Sequence, residues 1–479
     1  MERSPSEDKS RLPADTALPP FAGLRVTVLG LGQFGGGVGA VQFLLDRGAE
    51  VTVTDLRPQE QLSESLAKIR IDRLCGLHLG KHREQDFTDA ELIVVNPAVP
   101  PGNRYVMLAH QAGVPLTSEI ALFWEQARCR KLVVTGTVGK SSTTTLIHRC
   151  LIAAGVPAYL GGNIGVSLLP VVDEIPSEGW AVLELSSFQL SDLSRLSPQP
   201  DVAVVTNFHP NHLDWHRDLA EYRWAKRSAL RWQRSDQVAV LPGDGDEAGH
   251  WWTDANRCWF GNGPLPSGDQ VQILEEGFLI ASKGLQQRIS IESCSADLRM
   301  PHQRRNVAAA IAAVRQVLGG FPDESITALK DFRALPHRFE RVGEVVGRTL
   351  INDSKSTTPE AAIAALKCCS GAVWLICGGR DKGVDLSEFA AAIRDHAHGV
   401  ALMGETAPEL GRLLSESKQL VVERHPGLEE AVDWCISGAE TGAIILLSPG
   451  CASDAPFANY EERGNRFRAI AAKRAETAR

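Results

Sequence analysis

The amino-acid sequence predicts an α/β protein in which three domains follow one another along the chain. The chain has 479 residues, a length that corresponds to roughly three domains of common size. Apolar, strand-like runs alternate with helix-like segments along most of it, which is the pattern of open sheets covered by helices. Glycine-rich turns follow two of these runs, and such turns are where open α/β sheets bind nucleotides.

The overall composition argues against several kinds of partner. The net charge is -8, so no general basic field attracts nucleic acid or an anionic membrane. No apolar run approaches the roughly 20 residues of a membrane span. Ten cysteines show no C-x-x-C spacing, which favours reduced thiols in the core. We expect a cytoplasmic protein, with a polar, proline-rich and disordered extension over residues 1–20 in place of a secretion signal.

The first predicted domain covers residues 21–127. The stretch "LRVTVLGLGQFGGGVGAVQFLLDRGAEVTVTD", Leu24 to Asp55, has the order strand, glycine turn, helix, strand. Asp55 closes the second strand roughly 20 positions beyond the turn, where an acidic residue can meet a ribose hydroxyl. Further along, "SEIALFWEQA" has the composition of a capped helix start. This part resembles a nucleotide-binding βαβ unit.

The second predicted domain covers residues 128–334 and begins with "KLVVTGTVGKSSTTTLI". A buried strand, glycines and a helix start together direct amide groups and a positive helix end at an anion. Lys140 adds a charge for phosphates, and the Ser141 hydroxyl can bind Mg²⁺. The strict phosphate-loop pattern is not met, because Val134 stands where its first glycine belongs. An ordinary strand-turn-helix therefore stays possible for this motif alone.

Two later motifs of the same domain change that balance. Glu184 ends a predicted strand in "VLELSSFQL", and His212 follows a strand end in "TNFHPNHLDWH". Separately, they could be a capped strand end and a solvated loop histidine. In this order after a phosphate loop, they indicate one metal and phosphate site. Short strands with many Gly and Trp over 238–300 predict an insertion or a small antiparallel piece.

The third predicted domain covers residues 335–479, where strand and helix alternate about four times. Several motifs here are specific: "LPHRFE" is followed by "INDSKSTTPEA", then come "LICGGRDKG", "LSPGCAS" and "ERGNRF". Together with "TGTVGKSS", they closely resemble the Mur ligases of peptidoglycan synthesis, and among these the members that add D-glutamate. The resemblance runs from about residue 24 to the C-terminus.

The resemblance implies a fold and a reaction. The three domains would be a Rossmann-like UDP-binding domain, a central P-loop ATPase-type domain and a C-terminal Rossmann-like domain that binds the amino acid. ATP would phosphorylate the carboxylate of UDP-N-acetylmuramoyl-L-alanine, and the amine of D-glutamate would then attack the acyl phosphate. The implied cofactors are ATP, Mg²⁺ at two sites and a carbamate formed from CO₂ on Lys226. We expect a monomer with small-molecule partners only.

The resemblance also implies roles for individual residues. The catalytic residues would be Lys140, Glu184, His212 and Lys226. Metal ligands would be Ser141, Glu184, His212 and Lys226. ATP would contact Gly136, Thr137, Val138, Gly139, Lys140, Ser141, Ser142, Asn306, Arg338, Asp353 and Lys355. The UDP-sugar would contact Gly30, Gly32, Gly35, Asp55, Arg57 and Asn163. D-Glutamate would contact Thr357, Lys382, Ser453 and Tyr460.

The sequence departs from the family pattern at a few places. Val138, Asn211 and Gln303 stand where the family usually has Asn, Asp and Asn, and "DAPFANY" after Ser453 ends in Tyr460 in place of Phe. A generic P-loop NTPase or kinase would not explain the third domain. Two further alternatives are another amide ligase, such as the folylpolyglutamate type or a neighbouring Mur step, and a non-catalytic UDP-sugar-binding protein. "NDSKSTTP" and the N-terminal βαβ unit argue against the first, and the intact charged residues argue against the second.

Overall fold

The computed structural model describes residues 20–32, 35–210, 215–282, 284–333, 335–369, 371–381, 383–415, 417, 420–453 and 456–477. The extension predicted over residues 1–20 therefore lies outside the described residues, except for Pro20. The chain forms two compact units. One contains the residues up to 294 together with 304–331, and the other contains 295–303 together with 332–479.

The first sheet of the first unit is parallel, in the order β3-β2-β1-β4-β5. Its strands are β1 Arg25–Leu29, β2 Glu50–Asp55, β3 Gly76–Leu79, β4 Leu92–Val95 and β5 Leu116–Thr117. Its helices are α1 Gly36–Asp46, α2 Ser63–Leu66, α3 Gln85–Thr88, α4 Arg104–Gln111 and α5 Glu119–Gln126. The central strand β1 is an apolar run buried from its second residue onward, because helices cover both faces of the sheet. The predicted helix start in "SEIALFWEQA" is confirmed, since Ser118 caps α5 by accepting from the amide of Ala121.

The second sheet of this unit has the order β14-β13-β12-β11-β10-β9-β6-β8-β7. Its strands are β6 Arg130–Thr135, β7 Ala158–Gly162, β8 Trp180–Glu184, β9 Val202–Val205, β10 Val238–Pro242, β11 Asn256–Asn262, β12 Asp269–Leu274, β13 Gly277–Ser282 and β14 Leu285–Ser290. Its helices are α6 Lys140–Ala153, α7 Ser187–Leu193, α8 Leu219–Arg227, α9 Pro301–Leu318 and α10 Asp323–Lys330.

The segment 238–300 was predicted as an insertion or a small antiparallel piece, and the structure refines that prediction. β10, β11 and β12 continue the large sheet as parallel strands, and only β12, β13 and β14 pair antiparallel. The connection between β12 and β13 consists of residues 275 and 276 alone, and a turn this short joins only antiparallel strands.

The second unit contains the third sheet, in the order β15-β16-β20-β17-β18-β19. Its strands are β15 Glu340–Val345, β16 Arg348–Asn352, β17 Val373–Gly378, β18 Gly399–Met403, β19 Val421–Arg424 and β20 Ile444–Leu447. Its helices are α11 Pro359–Cys368, α12 Ser387–His396, α13 Ala407–Leu414, α14 Leu428–Gly438 and α15 Tyr460–Thr477. All neighbouring strands are parallel except β15 and β16.

Short 3-10 helices complete the described secondary structure: Gln59–Leu62, Ile71–Arg73, Leu169–Glu174, Ser194–Leu196, Glu247–His250, Ile291–Ser293 and Ala296–Arg299. Three sheets of mostly parallel strands confirm the predicted fold class. The domain boundaries at residues 127 and 334 stay predictions. Among the described helices, none has the length and apolarity needed to cross a membrane. All ten cysteines are described and free, and most are buried, as the sequence predicted.

Candidate active site

The phosphate loop of the first unit lies between β6 and α6. Gly136 and Gly139 have φ angles of 138° and 83°, which favour glycine. Glycine is also required by the neighbours, since a Cβ on Gly136 would come within 2.0 Å of the Thr206 hydroxyl oxygen. A Cβ on Gly139 would come within 2.1 Å of Asn306 Oδ1. The predicted nucleotide residue Asn306 therefore lies directly against the loop.

Asn207 holds this loop in shape, and sequence reasoning gave it no role. Its Oδ1 accepts from the amides of Thr137 at 3.2 Å and Val138 at 3.0 Å, and its Nδ2 donates to the carbonyl of Val138 at 2.9 Å. The Thr206 hydroxyl donates to the same carbonyl at 2.7 Å. Their position could have indicated this role, because Thr206 and Asn207 directly follow β9, the strand beside β6. The two amides predicted to bind phosphate would have to be shared with Asn207.

Glu184 connects the phosphate loop to a second loop. It is fully buried at the end of β8, and its Oε2 accepts from the Ser141 hydroxyl at the start of α6. Its Oε1 accepts from Asn163 Nδ2 at 2.8 Å, and its carbonyl accepts from the Asn163 amide at 2.7 Å. The structure thus brings together Ser141, Glu184 and Asn163, which the sequence assigned to metal and substrate.

Two lysines meet at one carbonyl oxygen of the phosphate loop. The Nζ atoms of Lys140 and Lys226 donate to the carbonyl of Gly136 at 3.0 and 2.7 Å. Lys226 lies on α8 and is 1% exposed. Burial lowers its pKa well below the usual lysine value, the charge of Lys140 lowers it further, and the charge of Glu184 opposes the change. The Lys226 amine is therefore disposed to be neutral.

Tyr222, one turn before Lys226 on α8, contacts this lysine. The centre of its ring lies 4.9 Å from Lys226 Nζ, and its hydroxyl is 3.1 Å from the Thr137 hydroxyl. His212, the remaining predicted catalytic residue, and Asn211 before it lie outside the described residues. The neighbouring His216 is described and buried, with Nε2 2.9 Å from the Ser187 hydroxyl.

The glycine turn of the first sheet was predicted to hold the UDP part of a substrate. Gly30, Gly32 and Gly35 have φ angles of 86°, 66° and 91°. The carboxylate of Asp55, 6% exposed, accepts from the amides of Gly32 at 3.2 Å and Arg57 at 2.9 Å. Asp55 thus ties the turn to the end of β2, and contact with a ribose would use its remaining lone pairs. The side chain of Arg57 is exposed.

A second asparagine supports this turn. Asn96 follows β4, which neighbours β1, and its Nδ2 donates to the carbonyl of Gly30 at 3.1 Å. A Cβ on Gly30 or Gly32 would come within 2.9 Å of the Asn96 side chain, so the approach is close. Sequence reasoning gave Asn96 no role.

In the second unit, Asp353 is a buried anchor after β16. Its oxygens accept from the Phe339 amide at 3.0 Å and from the hydroxyls of Ser356 at 2.5 Å and Ser448 at 2.8 Å. Burial raises its pKa to about 6, and these three hydrogen bonds oppose the increase. The hydroxyl donors link the ends of the neighbouring strands β16 and β20.

Lys355 and Tyr460 come together in this unit, with Nζ 5.0 Å from the ring centre. The amide of Thr357 donates to the carbonyl of Lys355 at 2.9 Å. Ser453 Oγ is buried, with no hydrogen-bond partner among the described residues, and Lys382 lies outside them. A buried hydroxyl of this kind suits a ligand group.

Arg338 lies between two strained residues. His337 and Phe339 have φ angles of 62° and 47°, which are costly for residues with a Cβ. Backbone strain of this kind concentrates at functional sites, so the predicted nucleotide role of Arg338 agrees with its setting.

The predicted Mg²⁺ ligands can be tested against the chemistry of the donors. A buried hydroxyl and a carboxylate, Ser141 and Glu184, are oxygen donors of the kind that Mg²⁺ prefers. Over the described part of the chain, no three His, Cys, Asp or Glu side chains form a cluster that could hold a metal. Mg²⁺ is commonly held by one or two carboxylates together with phosphates and water, so the donors present fit it.

Three family models match successive parts of this chain. Residues 24–118 match the Mur ligase MurD-like N-terminal domain, residues 134–314 the Mur ligase middle domain, and residues 337–451 the Mur ligase glutamate ligase domain. A curated protein from Roseiflexus sp. (strain RS-1), named UDP-N-acetylmuramoylalanine--D-glutamate ligase, is 37% identical over 467 residues, covering 94% of this chain and 98% of that protein.

Solved structures show the same fold at lower identity. UDP-N-acetylmuramate-alanine ligase MurC from Thermotoga maritima is 18% identical with a TM-score of 0.59, covering 95% of this chain and 100% of that one. MurF ligase from Thermotoga maritima in complex with ADP is 17% identical with a TM-score of 0.55, covering 95% and 96%. By its three domain matches and its full-length relatives, this chain belongs to the Mur ligase family.

Proposed function

We propose that the protein is an ATP-dependent ligase that joins D-glutamate to UDP-N-acetylmuramoyl-L-alanine in cytoplasmic peptidoglycan precursor synthesis. The names of its full-length relatives support this substrate pair, and the ADP complex of the MurF neighbour supports ATP as the phosphate donor. One structural observation carries the proposal. A single buried carboxylate, Glu184, binds both Ser141 of the phosphate loop and Asn163 of a separate loop, so it can join nucleotide and acceptor.

The first step forms an acyl phosphate. A carboxylate oxygen of the substrate attacks the γ-phosphorus of ATP, the bond from this phosphorus to the bridging oxygen breaks, and ADP leaves with the electron pair. Negative charge gathers at the transferring group, so cations and a helix N-terminus stabilise it. Lys140 and the start of α6 supply these groups. Mg²⁺ bound through Ser141 and Glu184, and at a second site with His212 and Lys226, would neutralise phosphate charge.

The second step forms the amide bond. The amine of D-glutamate attacks the acyl carbon, a tetrahedral intermediate forms, and its collapse breaks the carbon–oxygen bond to phosphate. Phosphate leaves with the electron pair of that bond, and the nitrogen transfers its proton to solvent water. Thr357, Lys382, Ser453 and Tyr460 of the second unit are the residues that we assign to the D-glutamate carboxylates. The buried hydroxyl of Ser453, which has no hydrogen-bond partner among the described residues, supports this assignment.

Lys226 is proposed to react with CO₂. A neutral amine attacks the carbon of CO₂, a nitrogen–carbon bond forms and one carbon–oxygen π bond breaks. The nitrogen then transfers a proton to solvent water, which leaves an anionic carbamate. The burial of Lys226 and its acceptor shared with Lys140 favour the neutral amine that this reaction needs. The carbamate oxygens would then face the charge of Lys140.

The remaining assignments concern binding. ATP is assigned to the loop Gly136–Ser142 together with Asn306 in the first unit, and to Arg338, Asp353 and Lys355 in the second. The UDP-sugar is assigned to Gly30, Gly32, Gly35, Asp55, Arg57 and Asn163. The proposed domains are residues 21–127, 128–334 and 335–479, in a chain that acts as a monomer without nucleic-acid or membrane partners.

The testing experiment measures ATP-dependent phosphate release with UDP-N-acetylmuramoyl-L-alanine and each of four amino acids: D-glutamate, L-glutamate, meso-diaminopimelate and L-alanine. Release with D-glutamate alone is expected. Release with another amino acid would keep the mechanism and move the protein to a different ligase step. Tight UDP-sugar binding without any release would favour the non-catalytic alternative.

A further inference from the structure

The loop from Asn163 to Leu168 is fixed at both ends by carboxylates. At its start, Asn163 binds the side chain and the carbonyl of Glu184. Near its end, the Ser167 hydroxyl donates to Oε1 of Glu119. Between these points the loop contains Gly165, with a φ angle of 75°, and Val166, which is 71% exposed. The loop thus has anchored ends and a middle that faces solvent.

Glu119 is a buried carboxyl that the proposed reaction does not use. It is the first residue of α5 and is 9% exposed. Burial raises its pKa to about 7, and the hydrogen bond from Ser167 opposes this increase. Burying a carboxyl costs free energy that an apolar side chain at the same position would avoid. The contact with Ser167 is therefore the feature that distinguishes Glu119 from an ordinary core residue.

Helix α1 meets the same serine from another side. A Cβ on Gly39 would come within 2.3 Å of Ser167 Oγ, so only glycine permits this approach. The C-terminal end of α1 is also tied to the segment after the loop, because Arg47 binds Asp173 at 2.7 Å. Ser167 is thus the point where α1, α5 and the loop that carries Asn163 meet.

We infer that Glu119 is a positioning residue for the UDP-sugar: through Ser167 it sets the place of the loop Asn163–Leu168 relative to α1. This inference rests on the proposed function. α1 starts directly after the glycine turn assigned to the diphosphate, and Asn163 is assigned to the muramoyl part. One substrate spans both, so a shift between them weakens its binding. The contact between Glu119 and Ser167 includes none of the residues that are assigned to ATP.

The experiment compares four variants of the full chain with the unmodified protein. Glu119→Leu and Ser167→Ala remove the contact from either side, and Glu119→Gln keeps a hydrogen-bonding side chain of the same length. Glu125→Gln is the matched control, because it changes an exposed carboxylate of the same helix. Calorimetry gives the Kd values of UDP-N-acetylmuramoyl-L-alanine and of ATP, and thermal unfolding shows whether each variant is folded.

We expect Glu119→Leu and Ser167→Ala to raise the Kd of the UDP-sugar roughly tenfold while the Kd of ATP stays unchanged. Glu119→Gln and Glu125→Gln are expected to stay within about twofold of the unmodified protein. If Glu119→Leu does not fold, Ser167→Ala decides the matter. Unchanged UDP-sugar binding in folded Glu119→Leu or Ser167→Ala would overturn this inference and leave the proposed function standing. No UDP-sugar binding by the unmodified protein would instead overturn the proposed function.

Discussion

The two glycine loops of the first unit share one construction and differ in chemistry. Each follows a strand, β1 or β6, and precedes a helix. On one side, a neighbouring strand ends in an acid, Asp55 or Glu184, that accepts a hydrogen bond from the loop or from the start of its helix. On the other side, an asparagine follows the neighbouring strand and holds the loop, Asn96 or Asn207.

The difference lies in the cations. Lys140 and Lys226 both donate to the loop after β6, whereas the described residues of the loop after β1 receive no lysine contact. The shared backbone construction provides an anion-binding turn in both places. Among the described residues, lysine contacts of the kind that can stabilise phosphoryl transfer are therefore found at the second turn. Under the proposed function, UDP-sugar binding and phosphoryl transfer would therefore be assigned to two similar turns of one unit.

The sharpest test of this contrast removes the phosphate-loop lysine. Lys140→Ala is expected to lower kcat on the order of 1000-fold, because the charge on the transferring phosphate loses the cation that is assigned to stabilise it. UDP-sugar affinity is expected to stay unchanged, since the turn after β1 is intact. Arg149→Ala on the same helix, an exposed cation, is the control. Retained phosphate release in Lys140→Ala would contradict the division between the two turns.

Replacing the buried lysine tests the same contrast with a second readout. Lys226→Met is expected to lower kcat on the order of 100-fold, by loss of the carbamate. It is expected to raise the free energy of unfolding by about 1 kcal/mol in CO₂-free buffer at pH 7, because burial disfavours a charged amine. At pH values between the lowered pKa of native Lys226 and 10.5, the ordinary lysine value, the native amine is neutral and the unfolded amine is still charged. The stability of the unmodified protein therefore rises with pH toward 10.5.

The dependence of activity on CO₂ gives a control for the role of Lys226. Removing CO₂ should lower the activity of the unmodified protein and leave that of Lys226→Arg unchanged, since an arginine at this position forms no carbamate. Equal activity of the unmodified protein with and without CO₂ would argue against the carbamate.

The two asparagines test the shared construction. Asn207→Ala is expected to raise the KM for ATP roughly tenfold, because two loop amides and a carbonyl lose the hydrogen bonds made by the Asn207 side chain. Asn96→Ala is expected to raise the KM for the UDP-sugar by a similar or smaller factor and to leave ATP unaffected. Steady-state kinetics with each substrate varied in turn measures both. If either variant changed both KM values equally, the two turns would not act separately.

The smallest expected effect concerns Glu119, which contacts the loop Asn163–Leu168 through Ser167. Its pKa in the folded protein is about 7, above the ordinary value of 4.5, so the folded protein keeps a proton that the unfolded chain releases. Stability should therefore fall as pH rises through 7, by about 1 kcal/mol between pH 6 and pH 8. Denaturant titrations at several pH values measure this slope. Glu119→Gln should lack that part of it, and an identical slope in both proteins would refute the buried carboxyl as its source.

Much of the local structure could be predicted from the sequence. The order strand, glycine turn, helix follows from apolar runs and from glycines, which tolerate the positive φ angles that Gly136 and Gly139 adopt. The parallel order within each sheet follows from strands alternating with helices. For the segment 238–300, the sequence predicted an antiparallel piece but not that β10, β11 and β12 continue the parallel sheet before β13 and β14 pair antiparallel.

The sequence by itself determined the family and the fold class, and it predicted the charged residues that are proposed for the site. The tertiary structure decided which of them meet. Asn96 and Asn207 hold the turns because β4 lies beside β1 and β9 beside β6, and neither adjacency can be deduced from spacing. The neutral tendency of Lys226 and the contact of Glu119 with Ser167 depend on burial among distant segments. Local patterns act over a few residues, whereas strand order and burial are fixed only when whole sheets pack against their helices.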